Sequence, residues 1–196
     1  MKYPGIEEVD EARIVNKIRL PKATAVSETK IRGAKKSDLP ELLEIYNHEV
    51  RTSPATFDLE PQTLVQRKAW FSAHRRKHPL VVAERHGRVI GYASLSRFRD
   101  KPGYSKTGED SVYVRRGFQG KGVGTLLLKE ILARATKLGY HTVIAGVVPP
   151  NEASVRLHEG LGFGYVGNFR EVGFKFSRWQ DVAFYQAFLP VGAARG

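Results

Sequence analysis

A chain of 196 residues with no cysteine has room for one well-buried domain, and it excludes disulfides, Cys-ligated metal sites and a cysteine nucleophile. Its 41% hydrophobic content, with 10 Phe and 8 Tyr, is globular, no apolar run reaches the length of a membrane span, and residues 1–10 lack the basic and apolar regions of a secretion signal, so a cytoplasmic location is expected. The net charge of +12 is concentrated: residues 67–137 carry 17 Lys/Arg against five Asp/Glu, whereas residues 1–30 carry six against five. Such a field would draw a polyanionic ligand, with nucleic-acid binding or a solvated basic face as the alternative readings.

Residues 1–29 show no sustained periodicity and read as an N-terminal extension. The domain is expected over residues 30–190, with a short tail over 191–196. Residues 31–34 predict a strand. Ser37, Asp38, Leu39 and Pro40 open a helix with a side-chain cap and a proline in its first turn, and Leu39, Leu42, Leu43, Ile45 and Tyr46 carry its apolar face to about His48. A second helix is expected from Pro61 to the basic end Arg75-Arg76-Lys77, where cations complement the dipole. Residues 80–84 and 89–98 predict a hairpin around His86-Gly87. A polar loop over residues 99–108 precedes a strand at 111–114. After a glycine-rich turn, residues 125–137 form an amphipathic helix ending at Gly139. A buried-type strand follows at 141–148, Pro149-Pro150 breaks it, Asn151 can cap a helix to about Leu161, and two strands at 166–175 and 181–188 close the domain. This order predicts a mixed α/β sheet.

The glycine turn carries the functional signal. Gly120, Gly122 and Gly124 allow a close backbone approach, and the helix that follows aims free N–H groups at an anion. A P-loop would need Ser or Thr directly after Gly-Lys, but Gly122 follows Lys121; a dinucleotide fingerprint would need glycine where Leu127 stands. What is present is Gln119-x-x-Gly122-x-Gly124 between strand and helix, followed by Asn151-x-x-Ser154-x-x-x-His158-x-x-x-Gly162-Phe163.

This pair of motifs resembles the acetyl-coenzyme A site of the GCN5-related N-acetyltransferases. Glu109 to Val114, Ser154 to Glu159 and Gly173 to Asp181 look like the phosphinothricin and methionine sulfoximine acetyltransferase branch, with similarity from about Lys30 to Leu189. Two departures stand out: Asp110, where His or Ser is usual, and Ser177, in place of a common Gly. The resemblance implies a central, mostly antiparallel mixed sheet with splayed central strands, flanked by helices. It implies acetyl-CoA as cosubstrate, no metal, an amino-acid-like amine as acceptor and a homodimer, with neither membrane nor nucleic acid as the expected partner. Val112, Tyr113 and Val114 would run along the pantetheine arm, Gln119, Gly120, Lys121, Gly122, Val123, Gly124 and Thr125 would wrap the pyrophosphate, and Asn151 and Ser154 would lie along the other side.

Acetyl transfer from a thioester needs a neutral amine, a stabilised oxyanion and a proton for the departing thiolate. Glu109, at the start of the central strand, is the candidate base; from pattern alone, without the resemblance, it reads sooner as an exposed loop acid or as a partner for Arg115 or Arg116. His158 stands where the wider family often carries a tyrosine general acid, and its other reading is a helix-face histidine bonded to a backbone carbonyl. The oxyanion would meet a backbone N–H near Val114. Asn151 has a plain reading as a helix cap. Arg97 and Arg99 stand at i, i+2 near a strand end, and their guanidinium forks suit the acceptor's anionic oxygens. With Gly103, Tyr104, Glu109 and Phe57 they form the expected acceptor site, although Phe57 reads sooner as ordinary core or interface packing. The rival functions are acetylation of another small amine or a protein N-terminus, or a non-enzymatic module binding coenzyme A or nucleic acid.

Overall fold

The computed structural model describes residues 28–74 and 77–190. The expected extension up to residue 27, the tail over 191–196, and Arg75 and Arg76 of the basic helix end lie outside the described residues.

Seven strands form one sheet: β1 (Lys30–Gly33), β2 (Leu80–Arg85), β3 (Arg88–Arg97), β4 (Thr107–Val114), β5 (Thr142–Val147), β6 (Gly164–Lys175) and β7 (Arg178–Phe188), in the order β1-β2-β3-β4-β5-β7-β6. Every pairing is antiparallel except that of β4 with β5. Helices α1 (Leu39–Thr52) and α2 (Leu64–Ala73) contribute to one face, and α3 (Val123–Lys137) covers the other; α4 (Glu152–Glu159) follows β5.

The turns follow from their residues. His86 and Gly87 both take positive φ, 49° and 74°, which matches the twist of the β2–β3 hairpin as predicted. The β6–β7 turn has the same form but is built from Phe176 and Ser177, at φ 54° and 57°, so the family-typical glycine at 177 is replaced here by a residue that is strained in that region. Several boundaries move. The second predicted helix starts at Leu64 rather than Pro61, because Thr63 and Gln66 form a reciprocal capping box. The first runs on to Thr52, and its expected side-chain cap is absent: the Asp38 carboxylate turns back to the Lys35 N–H (2.7 Å) and to Arg32 (2.7 Å). β4 begins at Thr107, four residues before the expected strand, because β3 continues to offer it a partner.

β2 reads as a continuous apolar run because both its faces are covered. Val81 and Ala83 join Leu127, Leu128 and Ile131 of α3 in one core; Leu80 and Val82 join Leu42, Ile45 and Tyr92 in the other. Full burial of each large aliphatic side chain contributes about 1.5–3 kcal/mol, so α3 is fixed firmly on the sheet. What this rigid frame positions is a gap. β4 pairs with β3 along its length, from Arg97↔Gly108 to Gly91↔Val114, but with β5 over three positions only, Thr107↔Thr142 to Glu109↔Ile144. From Asp110 onward the two central strands part.

Candidate active site

The parting of β4 and β5 leaves backbone groups without a strand partner. The Arg115 N–H donates to the Ile90 carbonyl on β3 (2.9 Å), and amide direction alternates along a strand, so the N–H groups of Val112 and Val114 face away from β3 into the open side. The side chains divide in the same alternation. Glu109, Ser111 and Tyr113 lie on the α1/α2 face, where Tyr113 packs on Tyr92 and Tyr46. Asp110, Val112 and Val114 lie on the α3/α4 face.

At the end of β4 the chain makes its glycine turn. Gly117, Gly120 and Gly122 have φ of 86°, 70° and 80°, a region that β-carbons disfavour. Gly122 is the N-cap of α3 and offers no side chain to the first-turn amides, which leaves those of Val123, Gly124 and Thr125 for an anion at the positive end of a 15-residue helix. The helix therefore begins two residues earlier than predicted, and Gly124 serves differently from the other two: it is helical, and a β-carbon there would stand 3.3 Å from Leu157 of α4, so it permits close helix packing. Gln119 and Lys121 fold back on their own turn, to the Val114 carbonyl (3.3 Å) and the Gly117 carbonyl (2.7 Å). Arg115 is held elsewhere, donating to the Val89 carbonyl and pairing with Glu44.

Glu109 is the last β4 residue in register with β5 and sits where the gap opens. Burial, and secondarily the charge of Asp110, push its pKa up, and no hydrogen bond within the described residues holds its carboxylate. Across the gap is Gly146. A β-carbon there would lie 3.8 Å from Glu109 Oε1, 3.7 Å from Phe184 and 3.4 Å from Val182, so the glycine keeps space open in front of the carboxylate. A glycine inside an apolar strand is the signal by which sequence reading could have found it.

On the opposite face, His158 is buried against Phe163 with both ring nitrogens engaged. Nδ1 donates to the Ser154 carbonyl (2.7 Å) and Nε2 meets Asp110 Oδ2 (3.1 Å). Burial alone would depress the imidazole pKa; the hydrogen bond and charge of Asp110, with the Ser154 carbonyl, outweigh it and raise the pKa. Asp110, marked in the sequence only as a departure, is thus the partner that favours the charged form of His158. Its Oδ1 is buried without a partner among the described residues. Asn151 caps α4 through the Ser154 N–H (3.1 Å), its plain reading.

The acceptor residues are dispersed. Phe57 lies over Gly173 of β6, where any β-carbon would fall inside the ring's van der Waals surface, and its loop is clamped by Tyr46 on Thr56 (2.8 Å) and Lys175 on the Thr56 carbonyl (2.7 Å). Gly173 shares a sheet face with Phe184 and Glu109, so Phe57 and Glu109 come to one side. The expected arginine pair does not form. β3 ends at Arg97, whose register places it on the face opposite Glu109, paired with Asp100 (3.3 Å). Arg99 lies in the loop beyond, its guanidinium 5.2 Å from the Phe98 ring and 5.8 Å from that of Tyr104. The two-residue alternation that would have aligned them stops two residues short of Arg99. Gly103 and Tyr104 form a 3-10 turn beside them, joined to Glu109 by no hydrogen bond or ring contact among the described residues.

The acetyltransferase (GNAT) family matches residues 42–163. The chain is 40% identical over 164 residues to the phosphinothricin N-acetyltransferase of Streptomyces coelicolor, covering 82% of this chain and 96% of that protein. It is 42% identical to an L-methionine sulfoximine/L-methionine sulfone acetyltransferase of Pseudomonas paraeruginosa, covering 81% and 94%. Among solved structures, the phosphinothricin acetyltransferase of Sinorhizobium meliloti in complex with AcCoA superposes with a TM-score of 0.81 at 37% identity, covering 86% of this chain and 92% of that one.

Proposed function

Because the chain belongs to the GNAT family and is an acetyl-CoA-dependent N-acetyltransferase, we propose that its acceptor is the α-amine of a small amino-acid-like compound of the phosphinothricin, methionine sulfoximine or methionine sulfone type. The observation that carries the mechanism is Glu109: a carboxylate with a raised pKa and no hydrogen-bond partner among the described residues, facing space that Gly146 keeps clear. A base must hold the ammonium proton for a moment, and a raised pKa suits that task better than an ordinary carboxylate would.

In this reading residues 30–190 form the catalytic unit. The backbone N–H groups of Val112 and Val114 stand along the pantetheine arm, and the one nearest the thioester takes the oxyanion. The first-turn amides of α3 hold the pyrophosphate, with Gly120 and Gly122 giving the backbone its close approach. Glu109 accepts the ammonium proton, the freed amine attacks the thioester carbonyl, and as the tetrahedral adduct collapses the C–S bond breaks and the proton lost from the new amide nitrogen goes to the departing thiolate. His158 has neither nitrogen free, which supports a positioning role rather than that of general acid. Phe57 walls the acceptor side. A cytoplasmic homodimer is part of the proposal: Tyr165, Val166, Phe169, Val172, Phe174 and Trp179 leave β6–β7 with an exposed apolar surface that a second copy would cover, and a monomer mass on sedimentation would remove that part.

The test is thiol release from acetyl-CoA with methionine sulfone, methionine sulfoximine, phosphinothricin, unrelated amines and an N-terminal peptide. The amino-acid analogues are expected to turn over, and Glu109→Gln to lower kcat by about 100-fold or more with unchanged acetyl-CoA affinity. Turnover of the peptide alone would move the acceptor class, and an unaltered kcat in the variant would take the base role from Glu109.

A further inference from the structure

Beside Glu109 lies a pair of polar side chains that neither the motifs nor the family resemblance singled out. Ser96 of β3 stands directly opposite Glu109 of β4, so the two side chains emerge on the same face with β-carbons about 5 Å apart. His74, the C-cap residue of α2, reaches over this face and meets Ser96 Oγ through Nε2 at 3.1 Å. Its other nitrogen, Nδ1, lies 2.8 Å from the Trp70 carbonyl.

The direction of each bond follows in turn. A carbonyl can only accept, so His74 Nδ1 carries a hydrogen. The ring is part-buried, tilted at 42° against Trp70 with centroids 4.2 Å apart, and burial pushes its pKa below the ordinary 6.5, so above that pH the imidazole is neutral and Nε2 is a bare lone pair. Ser96 must then give Nε2 its single hydroxyl hydrogen. What remains on Ser96 Oγ is acceptor capacity alone, at the cross-strand position facing a carboxylate that, when ionised, is acceptor-only too. Arg97 on the opposite face supplies no donor here.

We propose that Ser96, its hydroxyl turned by His74, is a second acceptor for the substrate's amine and orients it for attack. A primary ammonium has three hydrogens: one goes to the Glu109 carboxylate, and another donates to Ser96 Oγ. Once Glu109 has taken its proton, the neutral amine is still held by Ser96, which fixes where its new lone pair points. Ser96 is thus an amine-positioning residue, and His74 acts through it.

The inference rests on the acceptor reading above, and methionine sulfone is the probe. Ser96→Ala is expected to raise the KM for methionine sulfone about tenfold with the acetyl-CoA KM within twofold, and Ser96→Thr, which keeps the hydroxyl, to restore it. A fault in folding would disturb both substrates alike. His74→Leu should give part of the effect, and the double variant should be no worse than Ser96→Ala alone, because His74 has no other route to the amine. An unchanged acceptor KM in Ser96→Ala, or additive losses in the double variant, overturns the inference while wild-type turnover leaves the acceptor reading intact. Wild-type protein that turns over none of the amino-acid analogues would sink both.

Discussion

Converting Asp110 to Asn changes one charge and almost no volume, and its effect can be worked from the contacts of His158. In the native pair Nδ1–H is committed to the Ser154 carbonyl, and when the ring is charged Nε2–H donates to Asp110. With Asn at 110 the ring can drop the Nε2 proton and accept from the new carboxamide, keeping two neutral hydrogen bonds. Bonds to charged groups contribute about 1.5–3 kcal/mol and neutral ones about 0.5–1.5, so the exchange costs roughly 1–1.5 kcal/mol while His158 is charged, which is ~2–6 °C in Tm for a protein of this size. The pH dependence supplies the sign. His158 has a folded pKa above its ordinary 6.5, so the pair's stabilisation is complete below 6.5 and is lost as pH rises through the folded value. Melting curves of both proteins from pH 5.5 to 9 should therefore separate at the acid end and converge at the alkaline end, where a bare Nε2 faces a carboxylate in the native protein. A constant offset across that range would refute the charged pair. The same variant reports on Glu109: removing the neighbouring charge lets its pKa relax toward 4.5, leaving burial as the cause, so the acid limb of kcat/KM should move to lower pH.

Gly173→Ala is expected to push the Phe57 ring off β6, since the new methyl takes the ring's place and Phe57, 40% exposed, can swing into solvent. The acceptor KM should rise about tenfold, the equivalent of 1.4 kcal/mol, with Tm within a few degrees and an unchanged acetyl-CoA KM; an unaltered acceptor KM would remove Phe57 from the site. Ser177→Gly relieves a left-handed residue at φ 57° in the β6–β7 turn and should stabilise by about 1 kcal/mol, read as a Tm increase of ~2–4 °C. A lower Tm would mean that the turn draws more from the serine than its backbone strain costs.

The parts of the site legible in the sequence are those that the backbone makes. A glycine turn between a strand and a helix points to an anion site through φ and free amides, whatever the side chains do, and Gly120 and Gly122 take the positive φ expected of them, with the α3 N-terminus two residues ahead of its expected place. The hairpin at His86-Gly87 and the Asn151 cap were legible for the same reason: each is fixed by contacts within a few residues. Arg97 and Arg99 failed because their alignment required the strand to continue to Arg99, and where β3 ends is decided by its partners, not by its own residues. Asp110 with His158, 48 positions apart, and His74 with Ser96, 22 apart, were invisible as pairs, because only the sheet register and helix packing bring them together.

Why adjacent acids should do such different work follows from the strand they share. Side chains on a strand alternate faces, so Glu109 and Asp110 cannot enter the same environment. Glu109 emerges on the face where Gly146 and the Phe57 loop leave open space, and burial, with the charge of Asp110, raises its proton affinity. Asp110 emerges under α4, where the buried His158 ring is its partner. Insertion of one residue before Glu109 would exchange these places, burying the proposed base against α4 and exposing its neighbour. The three-residue register with β5 guards against this: it pins Thr107 to Glu109 immediately before the strands part, so the position of the Glu109 carboxylate is set at the last point where the backbone is held on both sides.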